Sequence, residues 1–135
     1  MSKEPPPPKP TDAELELLRV LWELGPSTVR EVHEALPKSK STGYTTTLKI
    51  FQKMADKGLV TRDESQKSHV YEAAIEAEKT QRQLVRHLLR GAFGGSPARL
   101  VMQALPEERA SPEELEEIRA LLNELQLGSK PGGEK

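Results

Sequence analysis

Apolar residues recur at helical spacing through most of this chain, and the recurrence breaks once for two short runs of strand character. Thr11-Asp12-Ala13-Glu14 carries the hydroxyl and carboxylate of a capping box. The helix it opens presents Leu15, Leu18, Leu21 and Trp22 on one side until Gly25-Pro26 stops it. A second capping pair, Thr28 and Glu31, opens a shorter helix whose stripe is Val29, Val32 and Leu36, ended by Pro37. After the polar turn Lys38-Ser39-Lys40-Ser41, a third helix is predicted from about Thr42 to Lys57, with Gly58 as its C-terminal stop. Leu59-Val60-Thr61-Arg62 and His69-Val70-Tyr71-Glu72 are β-prone and flank a charged turn, which predicts a hairpin. Three helices followed by a hairpin is the element order of a winged helix.

The remainder reads as helical. The segment from Glu76 to Arg90 carries Leu84, Val85, Leu88 and Leu89, and Gly91, Gly94 and Gly95 then predict a break. Ser96-Pro97 reads as a cap followed by a first-turn proline, opening a helix with Leu100, Val101, Ala104 and Leu105. Ser111-Pro112-Glu113-Glu114 repeats that signal, and the last helix spaces Leu115, Ile118, Leu122 and Leu125 by 3, 4 and 3, a short a/d seam. Burying four such side chains is worth on the order of 6–12 kcal/mol before entropy. That stripe either pairs with a second copy or packs on its own winged helix; a wing domain with its own core favours the pairing. The expected fold is mainly α with a small β-hairpin: a disordered Pro-rich tail over 1–10, a winged-helix DNA-binding domain over 11–75, a helical dimerisation region over 76–127 and a flexible tail over 128–135.

Composition narrows the function classes. With aromatic residues at 4%, the core must come from Leu, Val, Ile and Ala, which suits a helical bundle. The absence of cysteine removes disulfides, thiolate metal sites and cysteine nucleophiles. No apolar run approaches a membrane span and the N-terminus lacks a signal-peptide pattern, so a soluble, cytoplasmic protein is expected. The net charge of −1 hides an asymmetry. From Pro37 to Val70 seven bases face three acids, whereas from Pro106 to Leu127 seven glutamates face two arginines. A chain neutral as a whole can therefore bind a polyanion through one module.

The third helix carries the most specific chemistry. At about 100° per residue, Tyr44, Leu48, Phe51 and Ala55 fall on one side, and Thr42, Thr45, Thr46, Lys49 and Lys53 on the other. That second face offers hydroxyls and methyls for base edges and ammonium groups for phosphates, without a carboxylate until Asp56. A Thr/Lys face on an isolated helix reads first as simply solvated. Yet Thr45-Thr46-Thr47 are poor helix formers for an exposed surface, and the basic flank and following hairpin turn the reading toward DNA. On the hairpin, Arg62 and Lys67 could reach a phosphate or the minor groove, or could serve only to keep a small sheet edge soluble.

In these same residues the chain resembles the penicillinase-repressor family, the BlaI/MecI/CopY regulators. The run Thr11-Asp12-Ala13-Glu14-Leu15-Glu16-Leu17-Leu18 with Leu21-Trp22 resembles the family's first helix, as Tyr44-Thr45-Thr46-Thr47-Leu48 through Lys53-Met54 to Lys57-Gly58-Leu59-Val60 resembles its third. The resemblance implies a repressor of a resistance or stress operon, its DNA contacts falling on Thr42, Thr45, Thr46, Lys49 and Lys53. It also implies a homodimer on a dyad operator, with Leu84, Leu88, Leu100, Leu115, Ile118, Leu122 and Leu125 as the candidate interface. Copper-responsive members release DNA through a C-terminal cysteine motif that this chain lacks. The β-lactam-responsive members are cut at an Asn-Phe bond, where this chain reads Gln103-Ala104, so a membrane sensor-protease partner would need a different specificity.

Two other classes compete with this reading: a winged helix used only for protein contacts, and a regulator that binds a small molecule between helices. An enzyme fits least, because His33, His69 and His87 sit in different elements and no nucleophile–base pair, metal-ligand spacing or phosphate loop accompanies them. No metal or cofactor is expected.

Overall fold

The computed structural model describes residues 9–37 and 42–128, and the chain divides into two compact units, the first ending at Gln83 and the second beginning at Leu84. Most of the Pro-rich tail, the turn Lys38–Ser41 and the last seven residues lie outside the described residues. Of that tail Lys9 and Pro10 are described, and Pro10 is buried.

In the first unit, α1 (Asp12–Leu24) and α2 (Val29–Ala35) both begin with the capping boxes expected from the sequence, each hydroxyl accepting from the N3 amide while the N3 glutamate accepts from the N-cap amide. α3 (Tyr44–Lys57) follows, closed by Gly58 in the left-handed region at φ 84°. The hairpin is β2 (Val60–Asp63) paired antiparallel with β3 (Val70–Ala73), with Val60 opposite Ala73 and Asp63 opposite Val70. The sequence reading did not foresee a third strand. Ser27–Thr28 forms β1 along the other side of β3, so the sheet order is β1-β3-β2. Two residues have no periodicity of their own, and only their partner makes them a strand.

The core lies where the three helices meet the sheet: Leu17, Leu18 and Leu21 from α1, Val29 and Val32 from α2, Phe51 and Met54 from α3, then Leu59, Val60 and Tyr71. The Phe51 and Tyr71 rings lie 4.7 Å apart, joining α3 directly to the sheet. Three expectations require correction here. On α1 the buried stripe uses Leu17, with Leu15 and Trp22 only half-buried; the Trp22 indole donates to the Ile75 carbonyl at 3.0 Å. On α3 the buried residues are Thr47, Phe51 and Met54, while Tyr44 is 37% exposed. The stripe is turned about its axis because α2 and the sheet pack from two directions. Thr47 is therefore not part of an exposed threonine run.

α4 (Ala77–Ala92) starts in the first unit, where Thr80 is buried and its hydroxyl donates to the Glu76 carbonyl. It continues through Gly91; the break falls at Gly94 and Gly95, both at positive φ. In the second unit, Ser96 caps α5 (Pro97–Glu108) and a Ser111–Glu114 capping box opens α6 (Pro112–Gly128). Neither α5 nor α6 buries a single described residue, so these amphipathic helices have no core of their own.

Candidate nucleic-acid interface

α3 is oriented by contacts on its inner side. Phe51 and Met54 enter the core, and the Lys57 ammonium at the C-terminal end bridges both carboxylate oxygens of Glu14 at 2.9 and 2.8 Å. At the other end the Thr47 hydroxyl donates to the Gly43 carbonyl at 3.3 Å. Its single proton thus used, the oxygen accepts from His33 Nδ1 at 3.0 Å. The Tyr44 ring meets the His33 ring edge-on at 5.7 Å and carries the Arg30 guanidinium over its face at 4.7 Å.

This fixes what α3 presents outward. Thr45, Thr46, Lys49 and Lys53 are all exposed, with no acidic residue in the first turn, so the positive end of the helix is unopposed by any carboxylate of its own. Thr42 lies before the N-cap Gly43 and is half-buried, outside the helical face on which the sequence placed it. Gln52, which the sequence reading did not single out, is exposed and projects within about 20° of Thr45, at the edge of the face that carries Lys49 and Lys53, and an amide of its type can pair with base edges. Its signal in the sequence is its place on the helical projection, since a neutral amide adds nothing to the charge or hydroxyl pattern.

On the hairpin, the Asp63 carboxylate accepts from the Ser65 amide at 2.9 Å, which folds the turn and holds the Asp63 carboxyl below its usual range. Arg62 is engaged: Nε lies 2.7 Å from Glu64, and the guanidinium donates to the Tyr71 hydroxyl at 3.5 Å. Lys67, Ser68 and His69 are exposed and form one side of a cleft of about 420 Å³ whose other sides come from α2 and α3.

The residues expected at a dimer interface are distributed over α4, α5 and α6. Leu84, Leu100 and Ile118 are half-buried, while Leu88, Leu115, Leu122 and Leu125 are exposed, the last two at 55% and 57%. Among the described residues no group of His, Asp or Glu could hold a metal ion, and no helix is long and apolar enough to cross a membrane.

Helices, sheet and projecting hairpin define a winged-helix protein of the DNA-binding regulator class. The chain belongs to the penicillinase repressor family, whose profile matches residues 10–124. That family consists of DNA-binding transcriptional repressors and not of enzymes. Among its relatives, the transcriptional regulator BlaI of Mycobacterium tuberculosis is 32% identical over 120 residues, covering 87% of this chain and 85% of its own. The methicillin resistance regulatory protein MecI of Staphylococcus aureus is 23% identical over 117 residues, covering 84% and 92%. Among solved structures, monomeric BlaI of Bacillus licheniformis in complex with the blaP half-operator aligns with a TM-score of 0.47 at 25% identity, over 54% of this chain and 89% of that one.

Proposed function

We propose that this chain is a sequence-specific repressor that binds a dyad operator as a homodimer in the cytoplasm and controls a resistance or stress-response operon. One observation carries the reading: a helix anchored in the core at both ends turns hydroxyl, amide and ammonium groups outward with no carboxylate among them before Asp56. Thr45, Thr46 and Lys49 are assigned to base edges, Lys53 and Lys67 to phosphates, and Arg62 to a phosphate that displaces Glu64. Thr42, ahead of the helix, is assigned to the backbone at its entry.

The apolar faces of the second unit support the homodimer, since helices without an internal core need a cover. Leu84, Leu88, Leu100, Leu115, Ile118, Leu122 and Leu125 form the proposed interface. A membrane sensor-protease acting at Gln103-Ala104 would have to unwind α5, because both residues lie within that helix.

The test is footprinting of the purified protein on DNA upstream of its own gene. The expected result is two protected half-sites one or more helical turns apart. No protection at low salt, on that region or on a random duplex pool, overturns the proposal.

A further inference from the structure

When a helix occupies a major groove and a wing reaches the adjacent minor groove, the sugar–phosphate strand separating the grooves must pass between them. In this chain the space between α3 and the hairpin is the cleft described above. Tyr44 and Leu48 of α3 line its base, Arg30 and Glu34 of α2 line one side, and Lys67 and His69 of the hairpin line the other. We propose that this cleft seats one backbone phosphate of the bound DNA, with Arg30 as its principal cation and Lys67 opposite. The inference rests on the reading that α3 and the hairpin straddle DNA, and it extends the contact set to α2.

Arg30 is prepared for that task. Its guanidinium is spread on the Tyr44 ring, 4.7 Å from the centroid, which limits the orientations open to it and leaves its N–H edge available for an oxyanion. Its ion pair with Glu34 is 4.0 Å long between side chains two-thirds exposed, a weak contact that a phosphate can replace. Lys67 has no ion-pair partner among the described residues, whereas Arg62 is held by Glu64. Two carboxylates border the cleft: Glu31, which keeps its charge while accepting from the Thr28 amide at 2.9 Å as a helix cap, and Glu34, which is the one paired with Arg30 and so the one whose removal frees that guanidinium.

The experiment measures affinity of the full-length protein for the footprinted fragment and for a random-sequence duplex across a series of salt concentrations. Arg30→Gln is expected to weaken both by a similar factor, about tenfold, and to lower the slope of log affinity against log salt by about one. Arg30→Lys restores the slope but only part of the affinity, since the charge returns without the planar stack. Glu34→Gln is expected to strengthen binding about two- to fivefold, a gain that a folding defect cannot produce. A neutral methylphosphonate walked along the fragment should weaken the wild type at one position where Arg30→Gln loses nothing more. An unchanged slope in Arg30→Gln together with no gain in Glu34→Gln overturns the phosphate seat, and if Lys49→Ala still alters base preference, the repressor reading stands without it. A wild-type protein with no salt-dependent DNA affinity overturns both.

Discussion

Glu14 shows how much one side chain can hold in this molecule. Its buried carboxylate accepts from the Thr11 amide and from the Lys57 ammonium, tying the first turn of α1 to the last turn of α3. Burial by itself raises its pKa, but the hydrogen bonds and charge of Lys57, with those of Thr11, bring it below the ordinary 4.5. A folded-state pKa lower than the unfolded one stabilises the fold above the ordinary carboxylate range and loses that contribution as pH falls through the folded value. Glu14→Gln is therefore expected to cost about 1–2 kcal/mol at pH 7, the lower part of the range because Lys57 is partly solvated. In denaturant titrations from pH 7 to pH 3, its deficit against wild type should shrink steadily on the acid side of 4.5. A deficit independent of pH would contradict the assignment. On α3 the opposite trade holds: Thr46→Ala should raise stability by about 0.5 kcal/mol, seen as a higher melting temperature, while weakening operator binding. Neighbouring threonines are equivalent in composition, and only the packing of α2 reveals that Thr47 serves the core and Thr46 the surface.

Helix ends were the most readable elements, because a capping box is a local device whose partners lie three residues apart. Those opened by Thr11, Thr28 and Ser111 stand where the sequence put them. Harder to read was anything decided across the chain. β1 exists only through β3, and the choice of Leu17 over Leu15 depends on which side α3 and the sheet approach. Gly91 reads like a stop yet sits in the last turn of α4, because a single glycine weakens a helix without ending it. Gly58 is a true terminator: at φ 84°, with open space where a Cβ would project, Gly58→Ala meets backbone strain and nothing else. A loss of about 1–2 kcal/mol is expected in chemical denaturation, with Gly58→Asn losing less. Equal losses for the two variants would point to a steric cause instead.

At the level of the whole molecule the two units differ in kind. Among the described residues the first closes ten apolar side chains into a core, whereas the second carries Val101, Met102, Leu121, Leu122 and Leu125 at its surface. Leu122→Glu with Leu125→Glu is expected to leave the winged helix folded and to convert a dimer to a monomer in analytical ultracentrifugation. Operator affinity should then fall far more than affinity for a single half-site, since the linkage between two half-site contacts is lost. A double variant that remains dimeric would move the interface to α4 and α5. The charge asymmetry read from the sequence follows this division, with the basic stretch around α3 and the hairpin and the acidic one over the end of α5 and α6.

The first two helices and the last carry their own carboxylate and hydroxyl caps; α3 begins at Gly43, which has no side chain with which to cap it. The element proposed to enter DNA is thus one whose opening turn, among the described residues, no side chain caps. Bound nucleic acid would complete it, so that target engagement is also a local annealing step. Amide protons of Tyr44, Thr45 and Thr46 should exchange faster than those of the opening turns of α1 and α2 in the free protein, and slow sharply on the operator but less on random duplex. Part of the discrimination between sites would then be written into the order of the helix itself.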